Sequence, residues 1–202
     1  SCTGTSADSS FGFPSLLTSN LGIGVANYGI SGSTVGAAGL HPMVSRTSTL
    51  TNLTPQPSTV FVLGGYNDAI QNGITENIGD AVTSGTFVYD YAVMMQALVS
   101  GMPNTVFYCI GILPTTSAVK GGTTLAQWNA GVKAAIAAVS PNTNIIYIDT
   151  VSWINPTTGV DTIDGVHPNP QGYLKVTAGL MARIFPPRRQ QPMRTLAERL
   201  KG

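Results

Sequence analysis

Charged side chains are scarce in this chain. Only 9% of its 202 residues are Asp, Glu, Lys or Arg, against about a quarter in an average soluble domain. Ten basic and nine acidic groups leave a formal net charge of +1, which excludes a generally basic nucleic-acid binder. Cysteine is as sparse. Cys2 and Cys109 are the only two, too few and too far apart for a disulfide framework or a zinc site. Cys109 lies in the apolar run 105–112 and is expected to be a small buried side chain. No apolar run approaches the roughly 18 residues of a membrane-spanning helix. The chain opens at Ser1 with neither Met nor a signal peptide, and removal of upstream sequence is expected.

What is present suffices for a core. Hydrophobic residues make up 43%, which excludes global disorder, and a chain of this length reads as one domain. Ser, Thr, Asn and Gly take the place of charge, a composition associated with secreted or virion-borne proteins. Charge is also unevenly spread. Residues 1–182 hold four basic and eight acidic groups, net −4, whereas residues 183–202 hold six and one, net +5. A domain over residues 1–185 followed by a basic tail, 186–202, is the expected organisation, with Pro186-Pro187 at the boundary.

Short runs rich in β-branched residues alternate with longer helical stretches. Residues 25–30, 59–63, 105–112 and 144–148 read as buried strands. Residues 13–21, 86–100, 124–140 and 169–185 have helical length and spacing. Near-continuous apolar strands alternating with helices imply a parallel sheet covered on both faces, an α/β fold.

In such sheets, ligands bind where strands hand over to loops at their carboxyl ends. Three of these places carry unusual residues. In Asp164-Gly165-Val166-His167-Pro168, the carboxylate can turn back to the imidazole Nδ1–H and leave Nε2 as a base. The same spacing also suits a loop whose Asp merely caps backbone beside an exposed His. In Gly64-Gly65-Tyr66-Asn67-Asp68, an Asn amide behind two glycines is a neutral donor for an oxyanion, or else a local turn. Around Ser31-Gly32-Ser33, Gly32 offers a backbone N–H for the same oxyanion, or simply chain flexibility. Gly22-Ile23-Gly24 lacks the third glycine and the following helix of a dinucleotide fingerprint.

Taken together, these blocks resemble those of the SGNH (GDSL-type) hydrolase family. Asn27-Tyr28-Gly29-Ile30-Ser31-Gly32-Ser33-Thr34 is similar to its second block, Gly65-Tyr66-Asn67-Asp68 to its third, and Asp164-Gly165-Val166-His167 to its fifth. The resemblance covers residues 1 to about 185. It implies a three-layer α/β/α sandwich around a parallel sheet, a serine acyl-enzyme mechanism, and oxyanion donors at the nucleophile amide, Gly32 and Asn67. The family's first block, Gly-Asp-Ser-x-Thr, is shortened here. Counting back from the aromatic-Pro pair Phe13-Pro14 places Ser1-Cys2-Thr3 on Ser-x-Thr, so Ser1 is preferred over Ser6 as the nucleophile position. The strand preceding that block lies mid-sheet in the family and is missing from the sequence. Another segment is therefore expected between residues 25–30 and 59–63, because a buried gap would leave two ladders unpaired.

Two functions follow. In the first, the chain is a serine esterase acting on a short acyl ester, such as acetyl groups on carbohydrate. Ser1 is then the nucleophile, His167 the base and Asp164 its orienter, with Gly32 and Asn67 at the oxyanion and neither metal nor organic cofactor needed. In the second, the fold is kept as a catalytically impaired binding or structural module, for example on a virion or cell surface. The tail places Met193, Leu196 and Leu200 on one stripe of a short amphipathic helix. That stripe either docks on a partner or a second copy, rather than on nucleic acid since it has no aromatic residues for stacking, or is a frayed terminus.

Overall fold

The run TVFVL forms β1 (Thr59–Leu63), VFYCI forms β2 (Val106–Ile110) and IIYI forms β3 (Ile145–Ile148). β-Branched and aromatic side chains suit the pleated, packed surface of a sheet. The computed structural model describes residues 12–22, 24–70, 77–141 and 143–185. In it the three strands form a parallel sheet in the order β1-β2-β3.

The register lines up Val62, Cys109 and Tyr147 across the sheet, and next to them Leu63, Ile110 and Ile148. Successive side chains point to opposite faces, so the first row faces one helical layer and the second the other. On the first face lie α4 (Phe87–Gly101) and α5 (Leu125–Ala138). There Phe87, Tyr91, Met95, Trp128 and Val132 close over Val62, Phe107 and Cys109. On the second face lie α1 (Phe13–Leu21) and α6 (Pro170–Ile184). Their Phe13, Leu17, Tyr173 and Leu180 close over Ile110 and Ile148. Helices on both faces of a parallel sheet make the expected α/β/α sandwich.

The helix starts are set by short polar side chains. Thr86, Thr124 and Asn169, each expected inside a helix, are the N-caps before α4, α5 and α6. Each side chain accepts from the first turn, and Gln127 completes a capping box with Thr124. Cys109 is fully buried as expected, and burial pushes its thiol up to about 12, so it is inert packing.

One expected strand is absent. Residues 25–30 have no strand hydrogen bonds and lie mostly at the surface, with Tyr28 and Ile30 exposed. They do not pair with β1, whose one ladder among the described residues is to β2. A strand exists only against a neighbour, and among the described residues none stands between this segment and β1. A cavity of about 660 Å³ lies there, walled by Val25, Tyr28, Phe61 and Leu63 among others. The tail, 186–202, and both candidate nucleophiles, Ser1 and Ser6, lie outside the described residues.

Candidate active site

The three motifs converge because the sheet is parallel, so the carboxyl ends of its strands share one edge of the molecule. β1, which follows the short helix α2 (Ser48–Thr51), leads through Gly64-Gly65 into α3 (Tyr66–Ile70), which carries Asn67. β3 leads into the loop that holds Asp164 and His167 just ahead of α6. Gly32, Asn67 and His167 all line the 660 Å³ cavity.

Both readings of the Asp164 loop hold at once. Oδ1 accepts the backbone N–H groups of Val166 at 3.0 Å and His167 at 2.8 Å, while Oδ2 meets His167 Nδ1 at 2.8 Å. The His167 backbone N–H is the main cause holding the Asp164 carboxyl down at about 2, helped by the imidazole and the Val166 amide. Asp164 is therefore ionised at neutral pH and can only accept. The proton between the two rests on Nδ1, and in the neutral ring Nε2 carries a lone pair. The His167 side chain keeps about a third of its surface exposed. The expected partner of Nε2, Ser1 or Ser6, lies outside the described residues.

Asn67 donates one amide N–H to the Ser33 carbonyl at 2.8 Å, which joins the second and third motifs. Its other N–H has no partner among the described residues. Gly32 takes a left-handed φ of 76° within a turn closed by Ser33 N–H on Ile30. A side chain would strain this backbone, hence the glycine.

The loop carrying Gly32 and Ser33 is fixed by residues that sequence reasoning did not single out. Asp68, fully buried, accepts Val35 N–H at 3.0 Å and Gly36 N–H at 2.9 Å. Asp90, on α4, accepts Ala37 N–H at 2.7 Å. Burial raises the Asp68 carboxyl above its ordinary range, and the Gly36 and Val35 amides partly offset this. A third buried acid, Asp161, accepts Asn155 N–H at 2.7 Å and Lys175 Nζ at 2.7 Å, tying the loop before Asp164 onto α6. The available signal was scarcity. In a chain with nine acidic residues, an Asp flanked by apolar neighbours, as in Tyr89-Asp90-Tyr91, needs a reason to be there. Among the described residues no group of three His, Cys, Asp or Glu side chains could hold a metal ion.

A parallel sheet between two helical layers thus carries an Asp164–His167 pair, Asn67 and Gly32 at its carboxyl edge, an α/β protein with its candidate site where such folds bind ligands. Comparison with known proteins places it further. The chain belongs to the GDSL-like lipase/acylhydrolase family, whose model matches residues 2–175. Among solved structures, a protein from Lactobacillus plantarum is similar with a TM-score of 0.69 at 19% identity, over 85% of this chain and 86% of that one. A possible lipase from Chitinophaga pinensis is similar with a TM-score of 0.62 at 15% identity, over 86% and 87%. At these identities the likeness is one of fold. No curated protein matches the chain.

Proposed function

We propose that this protein is a serine esterase that cleaves short acyl esters through an acyl-enzyme. The observation that supports this most is the Asp164–His167 pair, joined through Nδ1 at 2.8 Å with the imidazole about a third exposed. In this reading Ser1 Oγ attacks the ester carbonyl carbon, and the carbonyl π pair moves onto oxygen. His167 Nε2 takes the hydroxyl proton, and Asp164 stabilises the imidazolium. The oxyanion is met by Gly32 N–H and the free N–H of Asn67. Collapse expels the alcohol, which leaves with the proton from His167. Water then repeats the cycle on the acyl-enzyme and releases the acid.

A short acyl group such as acetyl on carbohydrate is the substrate of this reading. Thr115 and Thr116 of the polar loop after β2 bond the Gly165 carbonyl beside His167, while Ile112 and Leu113 line the cavity. The basic tail, 186–202, is assigned to docking on a partner or a second copy.

The test is burst release of nitrophenolate from 4-nitrophenyl acetate, together with organophosphonate labelling mapped by mass spectrometry. Labelling at Ser1, and a fall of about 10²- to 10⁴-fold in turnover for His167→Ala, are expected for a lost general base. Labelling at Ser6 would move the nucleophile. Neither burst nor label in the wild-type protein would leave the fold as a binding or structural module.

A further inference from the structure

The peptide joining Asp164 to His167 is held from outside its own loop. Gly165 has a φ of 82°, and a Cβ placed on it would sit 1.9 Å from Thr116 Oγ1, so the segment after β2 presses directly on it. The Gly165 carbonyl accepts Thr116 N–H at 3.0 Å and the Thr115 hydroxyl at 2.9 Å. On the other side, Gly165 N–H is held by Thr162 Oγ1 at 3.0 Å.

Proton accounting fixes the direction of the next contact. Thr115 Oγ1 has a single hydrogen, donated to Gly165, so its remaining contacts must be accepted. These are Ser117 N–H at 3.0 Å and the Tyr66 hydroxyl at 2.9 Å. Tyr66 is therefore the donor and must stay protonated for the chain to hold. It does, because burial, aided by the negative Asp164 nearby, raises its phenol above the ordinary value. Tyr66 also precedes Asn67 on α3. One chain of directed hydrogen bonds thus runs from the oxyanion donor's neighbour, through the loop after β2, to the backbone between base and orienter.

We propose that Thr115 is a positioning residue of this active site, its hydroxyl taking the Tyr66 proton and gripping the Gly165 carbonyl so that Asp164 and His167 keep their mutual geometry. The inference rests on the esterase reading for its kinetic consequence, but the geometric claim stands apart from turnover. Neither side chain needs to touch substrate. A shift of the Gly165 peptide would reorient both the Asp164 carboxylate and the His167 amide that holds it.

The test uses the full chain with Thr115→Val, Thr115→Ser and Tyr66→Phe. With 4-nitrophenyl acetate, Thr115→Val is expected to lower kcat by about 10- to 100-fold, the scale of a misplaced catalytic group, with KM moved less than about twofold. Thr115→Ser restores the hydroxyl and is expected to recover kcat. Tyr66→Phe removes only the outer donor and should fall between the two. In parallel, imidazole ¹⁵N shifts report which His167 nitrogen carries the proton. The wild type and Thr115→Ser are expected to show Nδ1–H, and Thr115→Val a mixture. An unchanged kcat and tautomer in Thr115→Val, or a Thr115→Ser variant no better than Thr115→Val, would overturn the assignment. If the wild type has no esterase activity, the esterase reading fails alone, and the tautomer comparison still decides this one.

Discussion

Asp68 and Asp90 show what a carboxylate can do when it is not at the reacting centre. Both are buried, and between them they accept three successive backbone N–H groups, from Val35 to Ala37. Truncating Asp68 to Ala strands two of these donors in the interior. The expected cost is about 1–3 kcal/mol for each unmet N–H, read as a lower urea midpoint. Asp161 titrates with the opposite sign to Asp68. The Asn155 amide and then Lys175 hold its carboxyl below the ordinary value, whereas burial raises Asp68. A depressed carboxyl stabilises the fold above the unfolded value of about 3.9 and loses that contribution as pH falls through the folded value. The stability gap between wild type and Asp161→Asn is thus expected to be full at neutral pH and to close in the acid range below about pH 4, measured by denaturant titration at each pH. The raised carboxyl of Asp68 works the other way, favouring the fold as it takes up its proton.

At the scale of elements, β1 differs from β2, its neighbour in the sheet. β2 lies between two strands, but among the described residues β1 is hydrogen-bonded on one side only. The Ser58 carbonyl accepts Val106 N–H at 3.0 Å. By alternation Val60 and Val62 also face β2, and the N–H and C=O groups of Thr59, Phe61 and Leu63 face the cavity. Val62 is buried while Thr59 is exposed and Phe61 and Leu63 are half-buried, an unusual state for a strand of a parallel sheet. The amides of Phe61 and Leu63 are therefore expected to exchange with deuterium faster than those of Val60 and Val62. Residue-resolved hydrogen exchange by NMR checks this. Equal protection along the strand would mean that its outer edge is covered in solution. The other elements are conventional, and their boundaries fall where a capping side chain or a proline puts them, as at Thr124 and Pro170.

For the whole molecule, the two helical layers and the sheet account for the packing between residues 12 and 185. Removing residues 186–202 is expected to leave the thermal midpoint within a few degrees, since both core clusters are built from residues 13–184, and to lower the mass seen by light scattering if the tail docks on a second copy. An unchanged mass, with no partner lost in a pull-down, would return the tail to the status of a free terminus. Much of this architecture was legible in the chain itself. Strand-to-helix alternation, the capping threonines and the Asp164/His167 spacing are local patterns, governed by residues within a few positions of one another. The sequence therefore determined the α/β class, three of the four expected strands, the helices and the motif residues. It could not place residues 25–30, because a strand is made by its neighbour and not by its own composition. Nor could it show that Asp68 reaches Val35, thirty-three positions away, or that Tyr66, Thr115 and Gly165 form one chain. Those contacts depend on which strand ends lie side by side, and only the packing of the sheet between its two helical layers decided that.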